Sequence, residues 1–227
     1  MSRLLTYCIP VDDGAAPNPF FGICTLAICK PRIRSVAQIG DWVVGLGSKK
    51  VKDSKGESYE GKIVYAMKVT DIKTLEEYDE YCKTYLPEKI PNITHSDFRR
   101  RLGDCIYDYS NGGFLQRAGV HNKNNIQTDL GGKNVLLSTH FYYFGNQAIP
   151  LHPDLEKIIH QGPGHKSNAN NPYVKGFIDW IETVDKSAML NANPQLEIDF
   201  RDHNCVSKCA VTREEEGKAD KECKPIC

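Results

Sequence analysis

Ala37-Gln-Ile-Gly-Asp-Trp-Val-Val-Gly-Leu-Gly-Ser-Lys-Lys50, answered downstream by Gly61-Lys-Ile-Val-Tyr-Ala-Met-Lys-Val69, decides the fold. The first stretch is a Gly-Asp turn entering an apolar strand. The second alternates Ile63, Tyr65, Met67 and Val69 against Lys62, Val64, Ala66 and Lys68. Between them, Lys52-Asp-Ser-Lys-Gly56 is turn chemistry, so the pair reads as a hairpin with a loose, charged tip. It forms the centre of a small curled sheet or barrel.

The rest of the chain arranges itself around that hairpin. Arg3–Ile9 reads as a strand, and Phe20–Cys29 as a second apolar run stopped by Lys30-Pro-Arg-Ile-Arg34. Thr74-Leu-Glu-Glu77 is a capping box opening a helix over Leu75–Tyr85, with Leu75, Tyr78, Cys82 and Tyr85 on one stripe. From Asn92 to Gly132 the chain is irregular, and a segment of that length inside a compact domain is functional or mobile. Asn134–Phe144 is the strongest strand, and two further helices are expected from Pro153 and over Pro172–Val184. The expected fold is α+β: a small mixed β-barrel or curled sheet with about three peripheral helices. Residues 1–190 form the domain, and 191–227 a polar, cysteine-bearing tail.

The chain has 227 residues, 40% apolar and 26% charged, with 29 basic and 29 acidic side chains. That composition is globular, without the global field that binds nucleic acid indiscriminately. No run approaches the roughly 18 apolar residues of a membrane span, and the N-terminus is not a signal peptide, so no membrane partner is expected. Nine cysteines, mostly scattered through strand- and helix-like segments, fit reduced thiols and a cytoplasmic setting.

Several motifs fail. Gly45-Leu-Gly47 has no third glycine and runs into a strand, and there is no phosphate-cradling Walker loop, nucleophile elbow, zinc-peptidase or zinc-deaminase signature. No cofactor is expected. What remains is local. Residues 30–55 hold seven basic residues against two acidic ones, a net of +5. Lys30, Arg32, Arg34, Lys49 and Lys50 there suit phosphate contacts, or form a solvated hairpin face. Asn18, Phe20, Trp42, Ser48 and Tyr65 supply the aromatic face and polar edge that a base needs, or else are barrel core. His140 and His165, with Asp104 and Tyr107, are candidates for general acid–base or ligand roles; each also has a structural reading, as core histidine, surface turn or loop cap. Cys24 and Cys29 lie in an apolar strand, where a thiol is usually inert. Cys205, Cys209, Cys223 and Cys227 pair closely enough to suggest zinc, but their spacing and polar surroundings favour a reduced tail.

Taken together, Ala16-Pro-Asn-Pro-Phe-Phe-Gly-Ile-Cys-Thr-Leu-Ala27, Gly40-Asp-Trp-Val-Val-Gly45, Gly103-Asp-Cys-Ile-Tyr107, Phe141-Tyr-Tyr-Phe-Gly145 and Gly164-His-Lys-Ser167 resemble the nucleotide modification associated domain 2 family. The family's Gly-Asp-Asn-Ile-Tyr-His-like segment appears here as Gly103-Asp-Cys-Ile-Tyr-Asp108. A wider similarity is to PUA-like domains of the EVE and YTH sort, small barrels that hold a modified base. The resemblance implies recognition of a modified base or nucleotide within DNA base modification or defence, with nucleic acid and other modification proteins as partners. An enzyme acting on such a base, or a partner-binding subunit, is the alternative.

Overall fold

The computed structural model describes residues 2–201; the four tail cysteines considered for zinc lie outside the described residues. The strands and helices run β1 (Leu4–Ile9), β2 (Cys24–Leu26), α1 (Pro31–Val36), β3 (Trp42–Gly47), β4 (Ile63–Lys68), β5 (Asp71–Thr74) and α2 (Leu75–Tyr85). They continue with α3 (Phe98–Arg101), β6 (Tyr107–Asp108), β7 (Leu115–Gln116), α4 (Ile126–Leu130), β8 (Asn134–Ser138), β9 (His140–Tyr143) and α5 (Val174–Ile181).

The hairpin expected from the sequence is β3–β4, antiparallel and central in a sheet of order β1-β3-β4-β9. β1 lies parallel to β3, so the chain between them must cross over, which it does through β2 and α1. A second sheet, β2-β8-β5, has no strand in common with the first and joins it through the chain. Only Val69-Thr70 separates β4 from β5, and only Thr139 separates β8 from β9; β4 pairs with β9 and β5 with β8. One ribbon therefore turns a corner from sheet to sheet. Thr70 holds the corner, its amide donating to Leu137 O at 2.9 Å and its Oγ1 accepting from Thr139 N at 3.1 Å.

The fold is mixed α+β, as expected, but among the described residues no barrel closes. β2 is only three residues long, and the free edge of β1 is met by a bridge from Thr6 to Lys166 instead of a closing strand. Of the expected helices, α2 forms with its capping box, Thr74 N donating to Glu77 Oε2 at 2.7 Å and Glu77 N to Thr74 Oγ1 at 3.1 Å. Tyr85, however, expected on the inward stripe, is exposed where the helix ends. Pro153–Ile158 is a 3-10 turn, and α5 is shorter than Pro172–Val184 because Asn168–Tyr173 is also 3-10. The irregular segment 92–132 contains α3, α4 and the small β6–β7 pair.

β3 is buried on both faces, so it separates two cores. Val43, with Tyr65 and Met67 of β4 and Tyr7 of β1, faces the second sheet and α2. Trp42, Val44 and Leu46, with Ala66 and Tyr142, face Phe177 and Ile181 of α5. A register shift at Gly45/Leu46 breaks the simple alternation of β4 and puts Ile63 on the α5 side. The alternation of β9 holds: Tyr142 and Phe144 point one way, Phe141 and Tyr143 the other.

The two glycines of the failed dinucleotide motif have a packing role. A Cβ on Gly45 would lie 2.3 Å from Ile9 Cδ1, and one on Gly47 would lie 2.2 Å from Tyr59 O. The second obstacle is backbone and cannot swing aside. Gly47→Ala is expected to destabilise the fold by about 1–3 kcal/mol through overpacking, visible as a lowered thermal midpoint with an unchanged native circular dichroism spectrum.

Residues 191–201 are tied to the body, contrary to their reading as the start of a polar tail. Leu196 N donates to Asp12 O, and Asn193 O accepts from Asn146 N.

Candidate active site

The second strand ends in an unusual turn. After β2 the chain passes Ala27 and Ile28, and then Cys29 (φ 57°) and Lys30 (φ 41°) both adopt the left-handed region before Pro31 starts α1. Two consecutive non-glycine residues there are strained, and such strain persists only where the surroundings enforce it.

Arg34 is part of what enforces it. Its guanidinium is fully buried and donates to three carbonyls: Nε to Cys29 O and Nη1 to Asn134 O, both at 2.7 Å, and Nη2 to Asp129 O. Gly132 leaves it room, since a Cβ there would lie 2.5 Å from Arg34 Cζ. Burial pushes the guanidinium below its ordinary range, and nearby Asp129 opposes that shift. Arg34 is thus the bracket joining the Cys29 turn to α4 and β8. It is not the phosphate contact expected of it, because its donors are consumed inside.

The turn and α4 meet at a relay. Cys29 Sγ lies 3.3 Å from His121 Nε2, and His121 Nδ1 lies 2.6 Å from Asp129 Oδ2. Asp129 Oδ1 accepts the Cys29 backbone N–H at 2.8 Å, and Tyr107 OH donates to Asp129 Oδ2 at 3.0 Å. Burial first, then the charge of Asp129, raises the Tyr107 pKa, which keeps it a phenol donor. All four side chains are buried; Cys29 retains 5% exposure.

Cysteine, histidine and aspartate at these distances also suit a metal ion, as their ligand atoms lie within 4.8 Å of one another. The ring geometry argues for a relay. Cys29 and Asp129 engage opposite nitrogens of the imidazole, so an ion held at Nε2 beside the sulfur would have Asp129 as a partner of the ring and not as a third ligand. A carboxylate on Nδ1–H fixes the tautomer that leaves Nε2 to accept a proton from a thiol.

The other expected site residues do not gather here. Trp42 and Tyr65 are fully buried on opposite faces of the central sheet, so they cannot wall one pocket. The Tyr65 hydroxyl is bound to Tyr7 OH at 2.9 Å. Asn18 is buried, holding Leu102 O and Lys89 Nζ; Phe20 packs edge-on against Phe98 at 5.6 Å. Ser48 Oγ accepts from Lys50 N at 3.2 Å and caps the turn after β3. Asp104 is sealed under Tyr78 and Thr25, with hydrogen bonds of 2.7 and 2.6 Å. His140 packs its ring edge against Trp42 at 5.3 Å, across the central sheet from Asp104. His165 lies in the loop after the Pro153–Ile158 turn; burial first, then His160 and the charges of Arg32 and Arg3, lower its pKa. Lys49, Lys50 and Arg32 are exposed, and Lys30 stacks over the Tyr7 ring at 4.8 Å. Asp104 and Tyr107, expected together with His140 or His165, thus sit at separate places, and only Tyr107 belongs to the relay.

In the sequence Cys29 reads as an inert strand thiol; the structure puts it on a turn, and Pro31 two residues later is the signal for that turn. His121 and Asp129 carried no motif; they fall in the irregular segment whose length marked it as functional or mobile.

A mixed α+β chain with a cysteine–histidine–aspartate relay on a strained strand-to-helix turn is the class that fold and site define. The family model of nucleotide modification associated domain 2 matches residues 1–202, and the chain belongs to that family. No curated protein and no solved structure matches the chain. Membership associates it with nucleotide modification. Among the described residues no helix is long and apolar enough to cross a membrane.

Proposed function

We propose that this chain is a cysteine-dependent enzyme of nucleotide modification, which transfers or hydrolyses an acyl substituent carried by a nucleotide or a modified base. The relay from Cys29 through His121 to Asp129 carries this reading. His121 Nε2 takes the thiol proton as Sγ attacks the acyl carbon and the C–S bond forms. The imidazolium returns that proton to the leaving nitrogen or oxygen as its bond to the acyl carbon breaks. Water activated by the same ring then releases the acid, or an amine takes the acyl group. Asp129 holds the ring through Nδ1–H. The five described cysteines are all free thiols, in keeping with a reducing, cytoplasmic setting.

The test is intact-mass analysis after incubation with N- and O-acylated nucleoside monophosphates. A hydroxylamine-sensitive acyl adduct on Cys29, absent from Cys29→Ser, is expected. Failure to form adduct or product with every member of that panel would overturn the proposal. A second reading is recognition of a modified base in nucleic acid without turnover, alongside other modification proteins. The exposed cations Arg32, Lys49 and Lys50 favour it. Its sign would be oligonucleotide binding that is equal in wild type and Cys29→Ser, with no adduct in either.

A further inference from the structure

His121 belongs to two structures at once. Besides its place in the relay, it forms part of the wall of a surface hollow of about 320 Å³, between the β6–β7 region and residue 200. That volume is at the lower end for a small-molecule site, enough for one nucleotide and too small for a duplex.

The lining has the parts a nucleotide needs. Phe200 and Ile93, both half-buried, supply apolar surface against which a base can stack. Gln116 Nε2 is spent on the Asn122 carbonyl at 2.9 Å, leaving its Oε1 as an acceptor. Asn122 Oδ1 is spent on Asn124 N at 3.0 Å, leaving its side-chain amide as a donor. One acceptor and one donor are the minimum for pairing with a base edge.

Charge on the rim is equally selective. Arg117 lines the hollow, but its guanidinium is committed. Nη2 binds Asp79 Oδ1 at 2.7 Å, and Nη1 binds the carbonyls of Cys105 and Tyr107 at 2.9 and 3.1 Å. Lys123 is exposed and, among the described residues, makes no ion pair, so it is the cation left for a phosphate. A single free lysine suits one phosphate group as a point charge, and suits a polyphosphate chain less well.

We infer that this hollow binds the nucleoside monophosphate unit of the substrate, its base between Phe200 and the Gln116/Asn122 amides and its phosphate at Lys123, presenting the base beside His121. The site rests on the proposed enzyme reading only for its purpose; occupancy is measurable apart from catalysis. The unit is either a free nucleotide or one nucleotide extruded from a single strand.

Calorimetry of the full chain with the four deoxynucleoside 5′-monophosphates, the matching nucleosides and a four-nucleotide single strand tests it. Monophosphates are expected to bind about tenfold more tightly than nucleosides, a gap removed by Lys123→Gln. Phe200→Ala is expected to weaken both by about tenfold through lost stacking. Tighter binding of the strand than of every monophosphate would identify the extruded nucleotide as the source, and the reverse order the free one. Because Lys123 is exposed, its variant keeps the test valid even where Phe200→Ala disturbs the local packing. Monophosphate affinity unchanged in both variants, or no binding by wild type, overturns the site. Iodoacetamide labelling of Cys29 without ligand, unchanged in both variants, separates this outcome from failure of the cysteine chemistry. Lysine-dependent binding with no Cys29 adduct would sink the enzyme reading and leave the site standing.

Discussion

Asp129→Asn is expected to lower turnover at Cys29 by about 10⁴-fold while the chain still folds. The carboxylate has three partners: Cys29 N on Oδ1, and His121 Nδ1 and Tyr107 OH on Oδ2. An asparagine can keep its oxygen on only one side. With the oxygen toward Cys29 N, its NH₂ group faces both the imidazole and the phenol. The ring then presents Nδ1 as acceptor and Nε2–H toward the sulfur, which is the wrong tautomer for taking a thiol proton. With the oxygen toward His121, the Cys29 amide loses its partner and the strained turn loosens. Either arrangement leaves a buried polar group unmatched, at about 1–3 kcal/mol. For a chain of this size that lowers the thermal midpoint by about 2–4 °C per kcal/mol, so the variant remains folded at 25 °C. The measurements are single-turnover acyl transfer, the rate of Cys29 alkylation by iodoacetamide, and the thermal melt. Acyl transfer is expected to collapse and alkylation to slow, with only a modest shift in the melt. Wild-type transfer in Asp129→Asn would show that the relay is a structural brace. Equal losses of transfer and fold would say the same.

The fold was legible wherever its cause is local. A capping box is satisfied within four residues, so α2 forms over the expected residues. The β3–β4 hairpin follows from two apolar runs flanking a turn, and the two-faced β9 from alternation between neighbours in sequence. The errors have non-local causes. Asn134–Phe144 reads as one strand, yet Thr139 divides it, because the corner is made by partners from β4 and β5. Trp42 and Tyr65 are both aromatic residues of the central hairpin, and sequence cannot tell that the sheet has a core on each side. Arg34 looks like its exposed neighbour Arg32. Only the carbonyls of Cys29, Asp129 and Asn134, the latter two about a hundred residues away, explain its burial. The relay is hidden for the same reason. Ninety-two positions separate Cys29 from His121, and no short motif spans such a gap.

Lys89→Met is expected to cost about 3–5 kcal/mol, against a total stability of order 5–15 kcal/mol for a folded domain. The Lys89 ammonium is fully buried and has four acceptors within reach. Asn18 Oδ1 lies at 2.7 Å, Asn18 O and Ile23 O at 2.9 Å, and Thr25 Oγ1 at 3.0 Å. Thr25 passes the charge on, donating to Asp104 Oδ2 at 2.6 Å, while Tyr78 OH donates to Asp104 Oδ1 at 2.7 Å. Burial pulls the Lys89 pKa down and pushes the Asp104 pKa up, and in each case the other's charge opposes the shift. Methionine fills much of the lysine stem's volume, so the loss is electrostatic: several acceptors and one carboxylate left without their cation in a dry core. The turn it releases, where Asn18 and Thr25 pair at 2.8 and 2.9 Å, leads into β2 and thence to Cys29. Asp104→Asn on the Lys89→Met background removes the stranded charge and should restore at least about 1 kcal/mol. Urea melts of the four chains in this cycle measure the coupling directly. A Lys89→Met variant within about 1 kcal/mol of wild type would mean that these bonds are readily replaced by water. A double variant no more stable than the single would place the loss in the orphaned carbonyls rather than in the charge of Asp104.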